Sequence, residues 1–252
     1  MSNRRAKIEA AASTGRGGVN KIVLATVVAL VAIVGTVTGV ILTSKSSTPS
    51  ASGGTATPKH LLEGTRAINA HPEVTPRAGA PLVEVFEDFQ CSHCHEFESA
   101  VGATFKELGE SGQARVGYHV MAFIDEQAKN TASQRAAAGA VCAAEQGTFQ
   151  AFHDGVFSTP AADPGKGWSD AELEGIAGAS GLSGEALSAW RSCVADGRFT
   201  AYIEDRTTTP WKDPKIEGTP SVRINGQLVD VRVLATPELL RAAVAAAATS
   251  SK

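Results

Sequence analysis

The segment LVEVFEDFQCSHCHEFESAVGATFKELG, residues 82–109, contains the pattern that decides the fold. Residues 82–89 are rich in β-branched and aromatic side chains and predict a strand. A helix is predicted directly after them, because apolar residues recur at intervals of three and four. These residues are Cys94, Phe97, Val101, Phe105 and Leu108. Gly109 is a typical helix stop, and residues 115–122 predict a second strand, so the region forms a β-α-β unit.

The next part of the chain is predicted to be helical. Residues 127–206 lack a strand pattern and are expected to form a helical insertion. Four stretches in it favour helices, by alanine content, by apolar spacing or by a capping box that Ser169 and Glu172 would form. These stretches are 129–146, 148–157, 169–179 and 183–203.

A hairpin and a helix complete the folded part. Residues 220–224 and 227–233 are rich in β-formers and are separated by Asn-Gly, the strongest short signal for a hairpin. A threonine-proline pair at 236–237 then opens a final helix. The order β-α-β, helical insertion, β-β-α predicts an α/β domain over residues 80–252.

An uncharged apolar stretch, residues 22–42, precedes that domain. A helix needs about 20 apolar residues to cross a bilayer, so we expect a transmembrane helix here. No Ala-x-Ala cleavage site follows, which favours an uncleaved anchor over a signal peptide. Basic residues concentrate before the stretch, so residues 1–21 are expected to be a cytoplasmic tail, with the domain outside. Residues 43–79 are rich in Ser, Thr, Ala, Gly and Pro and predict a flexible tether.

The charge of the chain is unevenly divided. The net charge is −3, but basic residues predominate before residue 43 and acidic residues predominate after it. An acidic body argues against nucleic-acid binding. Apolar residues make up 43% of the chain, which is enough for a hydrophobic core.

The Cys-x-x-Cys motif lies where the predicted strand ends and the helix begins. Cys91 would sit at the helix N-terminus, where free N–H groups and the helix dipole favour a thiolate. Cys94 lies on the apolar stripe and is expected to face inward, as the thiol that resolves a mixed disulfide. His93 lies between them and could add positive charge or a hydrogen bond to the Cys91 thiolate. The motif therefore predicts a redox pair that needs no metal or cofactor.

Two other interpretations of the motif stay open. Cys-x-x-Cys can be half of a zinc site, although Cys142 and Cys193 are isolated and do not supply the usual second pair. Together with His95 the motif also matches Cys-x-x-Cys-His, to which c-type haem attaches. Methionine supply for an axial ligand is poor, since only Met121 lies in the domain, although a second histidine could serve instead. The strand before the motif and the hairpin downstream favour the redox pair.

Two segments resemble the DsbA-like thiol:disulfide oxidoreductases. VEVFEDFQCSHCHEFE, residues 83–98, resembles their active-site segment, and GTPSVRING, residues 218–226, resembles their cis-proline loop and hairpin. The helical insertion also fits that family, and the resemblance covers about residues 80–247. Ser92 is a departure, because many family members carry proline at this position, which tunes the redox potential.

The resemblance implies a thioredoxin-like fold in which Thr219 and Pro220 pack opposite Cys91 and bind substrate. It implies reduced secreted or membrane proteins as substrates. It also implies a reoxidising membrane enzyme as partner, either of DsbB type or a homologue of vitamin K epoxide reductase. The expected activity is the introduction of disulfides. A reductase or isomerase of the same fold, and a redox-inert surface module, are the alternatives.

The remaining cysteines and acids give further expectations. Cys142 and Cys193 could be buried free thiols, but in an oxidising compartment a structural disulfide is expected, worth about 4 kcal/mol for a loop of this length. Among Glu84, Glu87 and Asp88, one could be a buried acid that assists proton transfer, and the sequence leaves open which.

The histidines and tryptophans outside the motif are expected to have ordinary roles. His60 and His71 lie in the predicted tether and are expected to be solvated, and His153 is expected on a helix surface. His119 lies in the second predicted strand. The three tryptophans are expected in the core; they are Trp168, Trp190 and Trp211.

Overall fold

The computed structural model describes residues 54–163, 165–209, 216 and 218–249. The predicted cytoplasmic tail, 1–21, and the predicted transmembrane helix, 22–42, lie outside these residues, as does Trp211. Within the described ranges, no helix is both long enough and apolar enough to span a membrane.

A five-stranded sheet forms the centre of the domain, in the order β1-β3-β2-β4-β5. Its strands are β1 (Ile68–Asn69), β2 (Leu82–Asp88), β3 (Arg115–Met121), β4 (Ser221–Ile224) and β5 (Gln227–Val229). Strands β2 and β3 are parallel, and the other neighbouring pairs are antiparallel. The central strand β2 is buried along six of its seven residues, and these include the acids Glu84, Glu87 and Asp88.

Helices cover both faces of the sheet. Helix α1 (Ser92–Glu110) links β2 to β3, and α8 (Pro237–Thr249) packs beside it after a 3-10 turn, Val231–Leu234. The helical insertion comprises α2 (Ile124–Ala128), α3 (Ala132–Ala144), α4 (Phe149–Ser158), α5 (Asp170–Ala179), α6 (Gly184–Ala195) and α7 (Thr200–Thr208). From β2 onward, the elements follow the predicted order β-α-β, helical insertion, β-β-α, and the unpredicted strand β1 precedes them. The capping box of Ser169 and Glu172 is present at the start of α5.

The apolar stripe of α1 is the main contact between this helix and the sheet. All five of its predicted residues are buried, from Cys94 to Leu108. They pack with alternate residues of β2, Val83 and Val85, because side chains of a strand alternate between its two faces. The start of α1, which carries the Cys-x-x-Cys motif, is thereby fixed at the end of β2.

The tether predicted for residues 43–79 is wrong in the part that the structure describes. Residues Ile68 and Asn69 add a short antiparallel strand to β3. Ile68 is fully buried, and His71, which was expected to be solvated, is buried as well. Tyr202 of α7 donates a hydrogen bond to the Arg66 carbonyl at 2.7 Å. A two-residue strand is too short to show a periodic pattern. The prediction therefore rested on the composition of the whole segment, which is typical of a flexible tether.

Two predicted elements have different bounds in the structure. The helix predicted over residues 183–203 is divided into α6 and α7 at Gly197, whose φ of 56° is left-handed. The strand predicted over 227–233 ends at Val229, because the Asp230 carboxylate accepts a hydrogen bond from the Arg232 amide and starts the 3-10 turn.

Candidate active site

Cys91 lies at the junction between β2 and α1, beside the loop that precedes β4. It is the N-cap residue of α1, and only 8% of its surface is exposed. Because Phe86 of β2 pairs with Ser221 of β4, the Thr219-Pro220 bond, which is cis, lies next to this junction. The Cys91 sulfur lies 3.6 Å from the Thr219 carbonyl oxygen. The structure thus brings together Cys91, Thr219 and Pro220.

The surroundings of Cys91 stabilise its thiolate. The hydrogen bond from the Cys94 thiol is the largest influence and outweighs burial, which acts in the opposite direction. Thr219 and the backbone amides of His93 and Cys94 add further hydrogen bonds. Together they lower the pKa of Cys91 to about 5, so this sulfur is ionised at neutral pH.

Cys94 has the opposite character. It is fully buried on the face of α1 that meets the sheet. Burial raises the pKa of its thiol far above the ordinary value, and the hydrogen bond to Cys91 and the charge of Glu87 act in the same direction. Cys94 is therefore a shielded, protonated thiol beside an ionised one. Its burial also disfavours haem attachment, for which both sulfurs would have to reach the porphyrin.

His93 lies in the first turn of α1, where the sequence predicted it. Its side chain is 78% exposed, and its imidazole lies 3.4 Å from the Glu96 carboxylate. The backbone amide of His93 supports the Cys91 thiolate, and the imidazole is not among the groups that do so. The first residues of a helix point their N–H groups at the N-cap, while their side chains project outward. His95 is likewise exposed.

The three acids singled out in the sequence have different environments. Glu84 lies 3.0 Å from His119 on the face of the sheet opposite α1. Asp88 accepts hydrogen bonds from Ser133 and from two backbone amides, and burial raises its pKa to about 6. Glu87 contacts His153 of α4 and raises the pKa of Cys94 through its charge. Glu87 is therefore the acid that is coupled to the redox pair.

Two further residues, Glu98 and His153, complete a buried cluster with Glu87. Glu98 lies one helical turn after Cys94, and burial, together with the charge of Glu87, raises its pKa to about 8. His153 is fully buried, so its predicted position on a helix surface is wrong. Burial lowers its pKa, but the Glu87 charge and a hydrogen bond to Asp154 outweigh burial and raise it well above the ordinary value.

The spacing of Glu98 could have revealed its position, because i and i+4 residues share a helix face. His153 gave no such signal, since its partner Glu87 lies 66 residues away in the sequence. One ligand atom from each of Glu87, Glu98 and His153 lies within 4.8 Å of the others, so the three could hold a divalent cation. The competing arrangement is the direct contact of the His153 Nε2 atom with the Glu87 carboxylate, which needs no cation.

Cys142 and Cys193 form a disulfide in the structure, with 5.9 Å between their Cα atoms. The bond joins α3 to α6, and both residues are buried. The Trp190 indole of α6 donates to the Gly139 carbonyl of α3 at 2.8 Å beside it. This pair holds two helices of the insertion together.

The domain resembles known proteins in sequence and in fold. Residues 77–245 match the protein-family model described as "Thioredoxin". A comparison with curated protein sequences gave no match.

Several solved structures share the fold. Oxidised DsbA of Mycobacterium tuberculosis superposes with a TM-score of 0.56 at 25% identity, over 71% of this chain and 95% of that one. MdbA, a thiol-disulfide oxidoreductase from Actinomyces oris, gives 0.59 at 18% identity, over 75% and 92%. MdbA of Corynebacterium diphtheriae, also a thiol-disulfide oxidoreductase, gives 0.55 at 23% identity, over 69% and 86%. At such identities the two MdbA proteins support the fold alone.

Proposed function

The chain belongs to the thioredoxin family whose model matches residues 77–245, and on this premise we propose that it introduces disulfides into reduced proteins outside the cytoplasm. Its structural neighbours are thiol-disulfide oxidoreductases, which is the class of enzyme that the sequence predicted. The substrates are reduced secreted or membrane proteins, and the redox pair is Cys91 and Cys94.

The observation that carries this proposal is the asymmetry of the two sulfurs. Cys91 is 8% exposed beside the cis-proline loop and lines an open cavity, whereas Cys94 is fully buried. An incoming thiolate can therefore approach Cys91 and not Cys94. The stabilised Cys91 thiolate makes the reduced pair the favoured product, and a disulfide whose reduced form is stabilised is a strong oxidant.

The reaction begins with the Cys91–Cys94 disulfide. A substrate thiolate attacks the Cys91 sulfur, the bond between Cys91 and Cys94 breaks, and Cys94 leaves as a thiolate that takes up a proton. A second substrate thiolate then attacks the substrate sulfur of this mixed disulfide and releases the Cys91 thiolate. Two substrate thiols are oxidised to one disulfide, and the pair receives the two electrons.

Substrate recognition is assigned to the loop that carries Thr219 and Pro220. This loop precedes β4 and lies against Cys91, so an extended substrate segment can pair with its backbone. Pairing through backbone groups tolerates many sequences, as an enzyme that acts on many proteins requires.

The location and the partner follow from the sequence before the domain. The uncharged stretch 22–42, preceded by basic residues, supports a single-pass anchor with the domain outside the cytoplasm. There, a membrane enzyme of DsbB type, or a homologue of vitamin K epoxide reductase, would reoxidise the pair. The predicted tail, 1–21, remains cytoplasmic in this arrangement.

The test is oxidation of a reduced, unfolded protein that contains two cysteines by the oxidised domain. We expect one substrate disulfide to form for each Cys91–Cys94 pair reduced, counted by alkylation and mass measurement. The Cys94→Ala variant, which has no disulfide to donate, should accumulate mixed disulfides through Cys91 when it is given a substrate that carries a disulfide, because Cys91 attacks that bond, one substrate thiol is released and no Cys94 thiol resolves the product. Transfer of electrons in the opposite direction only, from the reduced domain to substrate disulfides, would contradict the proposal.

A further inference from the structure

A cavity of about 440 Å³ opens directly beside Cys91, between the start of α1 and the helical insertion. We call it the aromatic cavity, because Phe89, Phe157 and Trp168 line it together with Cys91. The nucleophilic sulfur is thus at one edge of a recess of the size that binds small ligands.

The interior of the aromatic cavity is apolar. The Phe89 and Phe157 rings pack with their centroids 5.0 Å apart, and both rings, like Trp168, are largely buried in the domain. Polar side chains occur at the rim, where His95 and Glu96 are exposed. Such an arrangement suits an apolar or aromatic group that enters from solvent.

The outer wall of the cavity is held in place by defined contacts. The Trp168 indole donates to the Thr159 carbonyl at 2.7 Å, and the Arg135 guanidinium donates to the Trp168 carbonyl at 2.5 Å. Gly167 has a φ of 65°, and a Cβ atom there would lie 2.2 Å from Ala132. The wall is therefore preformed, which reduces the entropic cost of binding.

We propose that the aromatic cavity binds an apolar or aromatic side chain next to the reacting cysteine of the substrate, and that it gives the enzyme a preference for such cysteines. This inference rests on the proposed function, since it requires a mixed disulfide at Cys91. An extended chain rises about 3.3 Å per residue, so the two residues on either side of that cysteine stay within about 7 Å of it. A cavity that Cys91 itself lines is within their reach.

The opposite side of the active site differs in shape and charge. A wider cavity of about 650 Å³ lies there, beside the cis-proline loop. The Asp230–Arg232 ion pair lies along it, as does the contact between the His93 imidazole and the Glu96 carboxylate. Leu228, Val229 and Val231 also line this wider cavity. The two flanks of a bound substrate therefore meet different surfaces, and the aromatic cavity is the one that Cys91 itself lines.

The test uses peptides with one cysteine, in which a single phenylalanine is moved through the two positions on each side and all other residues are serine or glycine. The measured quantity is the initial rate at which each peptide reduces the Cys91–Cys94 disulfide. We expect one position to give a rate at least about tenfold above that of the peptide without phenylalanine, as apolar pockets typically discriminate.

Filling the cavity should remove this preference. Ala161 lines the aromatic cavity and Ala100 lines the wider one, so Ala161→Phe and Ala100→Phe form a matched pair. The rate with the best phenylalanine peptide, divided by the rate with the peptide that lacks phenylalanine, should fall to near one in Ala161→Phe. The same ratio should stay high in Ala100→Phe. Because the ratio compares two peptides on one variant, a change in Cys91 reactivity cancels. Thr159→Phe, at an exposed position of the same cavity, blocks it independently.

The inference is overturned if the unmodified protein oxidises all peptides at equal rates, or if both filled variants lose the preference alike. If no peptide reduces the disulfide at all, the proposed function itself fails, and this inference fails with it. The two failures are distinguishable, because equal rates leave the proposed function intact.

Discussion

The two cysteine pairs of the domain differ in their surroundings more than in their chemistry. Cys91 and Cys94 lie at the N-terminus of one helix, where hydrogen bonds stabilise one thiolate and burial suppresses the other. Cys142 and Cys193 lie on two different helices, and both are buried among apolar side chains. A disulfide is easily reduced where a thiolate product is stabilised, and resists reduction where it is not. We therefore infer that the first pair exchanges electrons and that the second stabilises the fold.

The largest expected effect separates these roles by mutation. Cys91→Ala should abolish substrate oxidation, because the remaining sulfur of the pair, Cys94, is fully buried and out of reach of a substrate thiolate. The double variant Cys142→Ala/Cys193→Ala should instead lower the free energy of unfolding by about 2–5 kcal/mol. Its folded fraction should still oxidise substrate. Urea denaturation and the substrate assay measure the two effects.

Equal losses of activity per folded molecule in both variants would contradict this division of roles. Such a result would mean that the Cys142–Cys193 disulfide takes part in the electron transfer. Alkylation in the native state offers an independent check, since Cys142 and Cys193 should be the slower pair to reduce.

A second prediction concerns Glu98, a buried acid one helical turn after Cys94. Among the contacts described, no such acid lies beside the disulfide of Cys142 and Cys193. Burial and the charge of Glu87 hold the pKa of Glu98 at about 8, above its ordinary value of 4.5. The folded state keeps a proton that the unfolded state releases. The free energy of unfolding should therefore fall between about pH 4.5 and 8, by up to about 1.4 kcal/mol per pH unit from this group.

Glu98→Gln removes this titration and should flatten the dependence of stability on pH in that window. Glu110→Gln, at an exposed position at the end of α1, is the matched control and should leave it unchanged. Urea denaturation at several pH values measures both. Parallel curves for Glu98→Gln and the unmodified protein would show that Glu98 ionises normally in the fold.

The smallest expected effect concerns His93. The sequence predicted that its imidazole supports the Cys91 thiolate, but the imidazole is exposed and pairs with Glu96. His93→Ala keeps the backbone amide that contributes to Cys91, and exposed charges are screened by water. We expect the pKa of Cys91 to change by less than about half a pH unit. A rise of a full pH unit or more, seen in thiolate absorbance, would restore the role predicted from the sequence.

The sequence was sufficient for features that depend on local spacing. The stripe from Cys94 to Leu108 predicted which face of α1 is buried, and Asn-Gly predicted the β4–β5 turn. The order of elements on both sides of the insertion followed from the same patterns.

The features that the sequence did not reveal depend on contacts between residues far apart along the chain. His153 has polar and aromatic neighbours from several elements, including Glu87 and Tyr118, and nothing in its own helix indicates burial of a titratable group. Ile68 belongs to a strand of two residues whose partner β3 lies nearly 50 residues further along the chain. Tertiary contacts decide both cases, so local propensity could not.

The most direct test of the account is the pKa of Cys91, measured from thiolate absorbance against pH in the reduced protein. The account predicts a value of about 5, and a higher value in Cys94→Ala, because the Cys94 thiol provides the largest stabilisation. It also predicts that the reduced protein is more stable than the oxidised one at neutral pH, and that this advantage is lost as the pH falls through 5. A Cys91 pKa near 8.5, the value of a free cysteine, with the oxidised form the more stable, would contradict it.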